Sequence, residues 1–191
     1  MQQGNPNASI YDASCDGTWL MAKNYTENVQ WNSSNKSDYS TSTIYSYLND
    51  SWLNKVDASV AKIIKQVKIP YCKWDGTSLS TLTGGNGLSS KVFLLSGREI
   101  GWTANVSSYI PDDGVKLQYF DSDMTTSAVS KRSDMIQRWL RSPHKGYMTM
   151  ALYVKSNGDW GAPYCTDHNA TNPTFIVPSN TFIDDNHNIV V

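Results

Sequence analysis

Charged side chains are scarce in this sequence. Asp, Glu, Lys and Arg together account for 17% of its 191 residues, whereas about 25% is usual for a globular domain. The formal net charge is −1, and no block of lysines and arginines occurs. Because a nucleic-acid backbone is bound through clustered basic residues, we expect no nucleic-acid partner.

Long apolar runs are also missing. A membrane-spanning helix needs about 18 or more consecutive apolar residues. The sequence has no such run, so we expect no membrane insertion. Residues 1–6 lack the basic start and the apolar stretch of a signal peptide. We therefore expect a cytosolic chain, a piece of a larger exported protein, or a virion component released by lysis.

Cysteine is sparse, because Cys15, Cys72 and Cys165 are the only three and lie far apart. An odd number at wide spacing indicates neither a disulfide framework nor a CxxC metal motif, which favours free thiols. A Cys72–Cys165 bridge stays open. Asp167 and His168 follow Cys165 closely, but no second metal-ligand motif accompanies them. We therefore expect no metal and no cofactor.

Catalytic patterns are absent although reactive residue types are present. No nucleophile-elbow motif surrounds any serine, so a hydrolase is unsupported by the sequence. The histidines lie in loop-like segments: His144, His168 and His187. Paired acids suit a glycosidase or calcium, but these lie in turn-like contexts where aspartate is common: Asp112 with Asp113, Asp121 with Asp123, and Asp184 with Asp185. We expect no enzyme and assign no catalytic residue.

Aromatic and small polar residues make up the balance. The chain has 7 Trp and 11 Tyr among many Ser, Thr and Asn residues. This mixture is typical of binding surfaces, where rigid rings supply contact area and amides supply hydrogen bonds. It is equally typical of a surface protein whose aromatic residues lie in the core.

Periodicity predicts helices early in the chain. Ile44, Leu48 and Trp52 recur every four residues after a Ser/Thr run at 40–43 that can cap a helix. A second helix is expected to begin at Asp57, with Val60, Ile63, Ile64 and Val67 facing inward and lysines facing water.

Strands dominate the rest of the pattern. We expect strands over 18–22, 67–71 and 91–95, then a strand at 139–143 and an alternating strand from 147 to 154. Asn157-Gly158 indicates a hairpin turn, and 174–177 closes the series. Together these elements predict one α+β domain over 1–191, with two helices packed on short antiparallel strands and with long loops.

Two charged residues stand beside apolar runs. Glu99 ends a capping-box spacing that starts at Ser96, and Arg141 lies within the strand predicted at 139–143. An unpaired buried charge is costly, so we predict a buried, bidentate Glu99–Arg141 ion pair. The residues predicted to form the surrounding core are Trp19, Leu48, Phe93, Leu95, Trp139 and Leu140.

Several segments in the same order resemble a known family. They are 16–20, 42–49, 68–71, 91–96 with Glu99, and Arg138-Trp139-Leu140-Arg141-Ser142-Pro143. Over residues 12–180 the chain resembles an uncharacterised domain family of gut Firmicutes and their phages, recognisable by its W-L-R-S-P motif. That family is similar to the C-type-lectin-like fold of formylglycine-generating enzymes and phage tropism determinants. The strand–Ser–x–x–Glu and W-L-R-S elements look like the two core signatures of that fold.

The resemblance implies a non-catalytic recognition module on a phage tail, a fibre or a bacterial surface protein. The cysteine pair of the formylglycine-generating enzymes and the calcium motifs of sugar-binding lectins have no counterpart here. The implied partner is a host cell-surface protein or glycan. The implied location is the virion or the cell surface. The resemblance also allows assembly with other virion or surface subunits. The alternatives are an enzyme-like domain of the formylglycine-generating type and a purely structural virion module.

The expected binding face lies in the C-terminal part of the chain. The segment from 159 to 172 is irregular by composition, and loops held on a rigid scaffold usually carry binding residues. In tropism proteins of the resembled fold, the corresponding region is the receptor face. The expected ligand-binding residues are Trp160, Tyr164, Asp167, His168 and Asn169, bordered by His144 and Tyr147.

Overall fold

The computed structural model describes residues 2–22, 27–103, 106–121, 130–132, 135–185 and 188–190. Within these residues the chain forms many short strands and a few short helices, so the α+β class is confirmed. The strands are β1 (Gln2–Gln3), β2 (Thr18–Met21), β3 (Asn28–Gln30), β4 (Val67–Ile69), β5 (Tyr71–Trp74), β6 (Leu79–Leu82), β7 (Leu88–Ser90), β8 (Val92–Phe93), β9 (Arg138–Pro143), β10 (Ala151–Val154), β11 (Trp160–Gly161), β12 (His168–Ala170), β13 (Thr174–Val177), β14 (Phe182–Ile183) and β15 (Ile189–Val190). The α-helices are α1 (Thr43–Tyr47) and α2 (Ala58–Ile63).

The first sheet joins the two ends of the domain. Its order is β1-β2-β13-β8, and every pairing is antiparallel. Strand β2 pairs along its whole length with β13, from Thr18 opposite Val177 to Met21 opposite Thr174. Trp19 projects from β2 into the core, where its indole packs edge-on against Phe93 at 5.4 Å between ring centroids. The first and last long strands of the domain therefore share one core.

The second sheet has the order β11-β10-β9-β12-β3. Its pairings are antiparallel except for one parallel contact between β12 and β9. All six residues of β9 are buried, so neither face of this strand meets water. Two buried indoles tie β9 to β3 across β12, because Trp139 Nε1 donates to the Val29 carbonyl at 2.9 Å and Trp31 Nε1 donates to the Leu140 carbonyl at 2.9 Å.

The predicted first helix is present but changes type along its length. Ser42 Oγ accepts the Tyr45 N–H at 3.1 Å and caps α1. A π-helical turn (Leu48–Trp52) and a 3-10 turn (Leu53–Lys55) continue α1. Ile44 and Leu48 are fully buried, as their spacing predicts. The Asn49 side-chain amide reaches the Val92 carbonyl at 2.8 Å and fastens this helical segment to β8.

The second helix departs from its prediction. Asp57 caps α2 by accepting the Ser59 N–H at 2.8 Å, as expected. However, α2 contains no buried residue, since Val60 and Ile63 are only half-buried. Val67, predicted as part of its inward face, lies instead in β4. Ile64, which follows α2, and Val67 are buried as predicted, and the half-buried Ile63 packs against the core. The inward orientation is therefore largely confirmed, although Val67 is not helical.

The alternating strand predicted from 147 to 154 is also shorter than expected. The chain turns over 144–150 instead, where the Tyr147 N–H bonds the His144 carbonyl at 3.4 Å and the Met150 N–H bonds the Tyr147 carbonyl at 3.4 Å. Only Ala151–Val154 is strand. The hairpin predicted at Asn157-Gly158 is confirmed, because β10 and β11 pair antiparallel around it and Gly158 has a φ of +77°, a conformation that glycine adopts at little cost.

The ion pair predicted between Glu99 and Arg141 is present and fully buried. Arg141 Nη1 lies 2.6 Å from Glu99 Oε2, and Arg141 Nη2 lies 2.7 Å from Glu99 Oε1, which makes a bidentate fork. Ser96 and Glu99 also form the predicted reciprocal capping box, at 2.9 Å from Ser96 N–H to Glu99 Oε2 and 3.2 Å from Glu99 N–H to Ser96 Oγ. The predicted core residues are all buried: Trp19, Leu48, Phe93, Leu95, Trp139 and Leu140.

Backbone carbonyls complete the coordination of the Arg141 guanidinium. Its Nε donates to the Pro70 carbonyl at 2.9 Å, Nη1 also donates to the Leu94 carbonyl at 2.8 Å, and Nη2 also donates to the Asp113 carbonyl at 2.9 Å. With the two bonds to Glu99, all five N–H donors of the arginine are used. The pair is thus a buried junction of four separate stretches of chain.

Removing the Glu99 carboxylate should leave a buried and uncompensated positive charge. We expect Glu99→Ala to lower the free energy of unfolding by about 3–5 kcal/mol, measured by urea denaturation. A matched control is Asp112→Ala, which removes the exposed ion pair with Arg98 and should cost about 1 kcal/mol or less. Equal losses in the two variants would show that the buried pair is not a stability determinant.

Candidate functional site

Four aromatic rings pack together on the surface beside the second sheet. We call Tyr109, His144, Tyr147 and Trp160 the aromatic patch. The His144 ring stacks on Tyr109 at 4.6 Å between centroids with 23° between the planes, and it lies 5.1 Å from Tyr147 and 6.4 Å from Trp160. Tyr109 and Trp160 are 6.3 Å apart. The imidazole is thus the centre of the patch.

Each ring of the patch is held by a different structural element. His144 directly follows β9, and Trp160 begins β11 at the edge of the same sheet. Tyr147 lies in the turn before β10. Tyr109 comes from a separate loop, which is fixed by a hydrogen bond of 2.9 Å from the Lys145 N–H to the Tyr109 carbonyl. Rings held in this way lose little conformational entropy when a ligand binds.

His144 is buried beneath the exposed rings. Only 4% of the residue is accessible, whereas Tyr109 and Tyr147 are 46% and 58% exposed. Burial lowers the pKa of His144 below its ordinary value, which favours the neutral ring at pH 7. The Gly146 N–H donates to Nδ1 at 3.0 Å, so the proton of the neutral ring lies on Nε2.

An open groove of about 580 Å³ adjoins the patch along the β10–β11 hairpin. Trp160 belongs to both the patch and the groove, and Tyr153, Lys155 and Asp159 line the groove with it. The hairpin loop is well ordered by its own hydrogen bonds. The Lys155 N–H bonds the Asp159 carbonyl at 2.8 Å, and Asp159 Oδ1 accepts the Trp160 N–H at 2.8 Å.

The structure brings only part of the predicted binding set together. Trp160, His144 and Tyr147 meet in the aromatic patch. Tyr164 is 52% exposed, but no ring contact joins it to another aromatic residue of the described chain. Its backbone continues the β11 side of the sheet through a bridge to Met150.

The remaining predicted residues lie elsewhere. Asp167 and His168 are exposed and Asn169 is half-buried, at or in β12. Strands β10 and β9 separate β12 from β11, a distance of about 14 Å at the usual strand spacing. The expectation that 159–172 is one irregular segment is therefore wrong, since it contributes two strands to different parts of the sheet. Its role in binding stays a prediction.

Sequence reasoning missed Tyr109, Tyr153 and Lys155. Tyr153 and Lys155 flank the predicted hairpin turn, so their nearness to Trp160 follows from the hairpin register. Nothing in the local pattern connects Tyr109 with β9 or β11, because that contact depends on the path of a long loop.

The three cysteines are free and buried, with no bridge between Cys72 and Cys165. Burial raises the pKa of each thiol to about 12. The thiolate is the nucleophilic form, so these cysteines are unreactive near pH 7. Among the described residues, no group of three or more His, Cys, Asp or Glu side chains could hold a metal ion. His187 and Asp123 lie outside the described residues.

Asp113 is the most perturbed carboxyl group near the Glu99–Arg141 pair. It is fully buried, and burial raises its pKa to about 6. Its Oδ2 accepts the Ser142 hydroxyl at 2.7 Å, and its Oδ1 has no hydrogen-bond partner. A raised carboxyl pKa is a feature of general acids. However, neither Asp113 nor Glu99 lines the surface groove or the small internal cavity of about 20 Å³ next to Trp139.

Comparison with known families assigns the chain to a family. Residues 16–179 match the model of the family described as a domain of unknown function, DUF6273, and the chain belongs to that family. No curated protein and no solved structure matches the sequence. Of the described helices, none combines the length and the apolar character that crossing a membrane requires.

The raised pKa of Asp113 makes stability depend on pH. Between its ordinary pKa near 3.8 and about 6 the folded chain holds a proton that the unfolded chain has released. This contribution to stability is therefore present below about pH 4 and is lost as the pH rises through 6. Asp113→Asn keeps a neutral side chain of the same shape and should not show the loss.

The measurement is urea denaturation of both proteins from pH 4 to pH 7.5. Relative to Asp113→Asn, the wild-type protein should lose up to about 3 kcal/mol of unfolding free energy over this range. Asp112→Asn changes the exposed neighbouring carboxyl group. In this variant the unfolding free energy should change with pH as it does in the wild-type protein. If the unfolding free energy of Asp113→Asn also changes with pH as that of the wild-type protein does, the Asp113 carboxyl has no raised pKa.

Proposed function

We propose that this protein is a non-catalytic recognition module of C-type-lectin-like architecture that binds its partner through the aromatic patch. The observation that carries the proposal is the patch itself. Exposed Tyr109 and Tyr147 lie over a buried His144, beside the half-buried Trp160. Tyrosine and tryptophan anchors on a rigid support are the residues that most often dominate binding energy.

The architectural part of the proposal is supported by the buried junction. The strand–Ser–x–x–Glu element supplies Glu99, and the W-L-R-S element supplies Arg141. These are the elements that resemble the core signatures of the C-type-lectin-like fold, and their charged groups pair directly. A scaffold of this kind supports many functions, so the assignment of function depends on the patch and not on the architecture.

The non-catalytic part is supported by where the ionisable groups lie. The acids of the core, Glu99 and Asp113, are sealed from solvent, and the thiols are buried. His144 is wedged between aromatic rings and is not hydrogen-bonded to a nucleophile. The described site therefore favours recognition over chemistry of the formylglycine-generating type.

The location and the partner that we propose come from the family resemblance. The module would be displayed on a virion or a cell surface, and it would bind a protein or glycan on the host cell. Assembly with other virion or surface subunits would use faces other than the patch.

The patch can be tested with the variant Tyr109→Ala/Tyr147→Ala. Both side chains are about half exposed, so the melting temperature should stay within a few degrees of wild type. Binding of labelled protein to a panel of Firmicute cells, measured by flow cytometry, should fall about tenfold or more. Phe182→Ala is the matched control, because Phe182 is 67% exposed and lies on β14.

The control should bind as wild type does. The proposal fails if the double variant binds as well as wild type, if both variants lose binding equally, or if wild type binds no cell of the panel.

A further inference from the structure

We propose that His144 is an acid-sensitive switch in the aromatic patch, and that protonation of its ring opens the turn over 144–150 and releases Tyr147. The inference rests on the proposed recognition function and names the regulation of that site. At neutral pH the rings of the patch are assembled, and in acid the patch comes apart. The structural change concerns this chain alone, so it can be measured without a partner.

The turn over 144–150 uses the imidazole of His144 as a hydrogen-bond acceptor. The Gly146 N–H donates to Nδ1 at 3.0 Å. The bonds on either side of Tyr147 are longer, at 3.4 Å from its N–H to the His144 carbonyl and 3.4 Å from the Met150 N–H to its own carbonyl. The bond to Nδ1 therefore fixes the residue directly before Tyr147.

Close packing keeps water away from this bond. A Cβ at position 146 would lie 3.3 Å from His144 Cε1 and 3.5 Å from Tyr109 Cε1, so the Gly146 backbone lies against both rings. Tyr109 covers one face of the imidazole, and only 4% of His144 is accessible. While the turn is closed, Nδ1 has no room to exchange the Gly146 N–H for water.

Protonation changes Nδ1 from an acceptor into a donor. The N–H groups of His144 and Gly146 would then face each other at 3.0 Å. The rings of Tyr109 and Tyr147 attract a cation, but they are half exposed, where this attraction is weak. A buried donor without an acceptor is costly, and so is a buried charge. The charged ring therefore leaves its place, which requires the turn to open.

The closed turn is stable at neutral pH and weakens in acid. In the open turn the ring meets water and has its ordinary pKa of 6.5, whereas burial lowers the pKa of His144 in the closed turn. This contribution to stability is present above about pH 6.5 and is lost as the pH falls below that value. The ratio of open to closed turns rises by at most about tenfold for each pH unit. Asp113, with a pKa of about 6, acts with the opposite sign, because its proton stabilises the fold.

The charged and titratable side chains on the elements around the imidazole are Lys145 and Tyr147 in the turn, Tyr109, Asp112 and Asp113 in the neighbouring loop, Arg141 in β9, and Lys155 and Asp159 in the hairpin. Arg141 is paired with Glu99, and Asp112 is paired with Arg98. The hairpin charges lie on the face opposite Trp160, since neighbouring residues of a strand point to opposite sides. Burial is the only cause of the lowered imidazole pKa, so none of these charges sets it.

The test is an NMR titration of the isotope-labelled whole chain from pH 7.5 to pH 4.5. It follows the His144 ring and the exchange protection of the Gly146 amide, corrected for the intrinsic pH dependence of exchange. The protection should fall about tenfold or more. Its midpoint should coincide with that of the ring, a comparison that needs no variant.

Two variants assign the effect to one histidine. In His144→Asn the side-chain oxygen can accept the Gly146 N–H near the place of Nδ1 but takes up no proton in this range, so the protection should not change with pH. His168→Asn makes the same replacement at the exposed histidine of β12 and should behave as wild type does. Cell binding at pH 5 relative to pH 7.5 should fall about tenfold in wild type and His168→Asn, and the ratio should stay constant in His144→Asn.

The switch is overturned if the ring titrates while Gly146 stays protected, if the ring stays neutral down to pH 4.5, or if His144→Asn loses protection in acid as wild type does. A turn that stays closed, together with cell binding that depends on Tyr109 and Tyr147, would leave the proposed function standing. A turn that opens in acid, in a protein that binds no cell, would keep the switch and overturn the function.

Discussion

The guanidinium of Arg141 is buried with all its donors, and much of the fold is arranged to satisfy it. Each buried N–H without an acceptor would cost about 1–3 kcal/mol, so the five acceptors must all be in place in the folded chain. They come from Glu99 and from the carbonyls of Pro70, Leu94 and Asp113. Breaking the junction would release the β4–β5 connection, the end of β8 and the loop at 113 from β9.

Strand β9 connects the buried Arg141 junction with the protein surface. It is buried on both faces, with Arg141 inside the sheet and His144 just beyond its end. The ring of His144 then supports Tyr109 and Tyr147, which are exposed. One strand thus links the buried junction to the aromatic patch, so the residues proposed to bind a partner are held by a buried network.

The features that could be predicted from the sequence are those that depend on interactions between residues close together in the chain, and one buried charge pair. The Ser96–Glu99 capping box, the Ser42 and Asp57 caps and the Asn157-Gly158 turn each depend on a few neighbouring residues, and each forms as predicted. The Glu99–Arg141 pair could be predicted because a buried charge needs a partner. The patch was only partly predicted, because Tyr109 joins it through a long loop, and β12 carries His168 away from Trp160 because of strand order. Sheet order is a long-range property that residue periodicity does not contain.

Hydrogen–deuterium exchange of the whole chain, alone and bound to the cell-wall material of a cell that it recognises, tests most directly the claim that recognition lies at the patch. We predict that binding slows exchange in residues 107–111, 144–149 and 153–163, while the buried strand β9 and residues 167–170 keep the rates of the free protein. Protection centred on residues 167–170, or bound protein without slower exchange in the three patch segments, would contradict the claim.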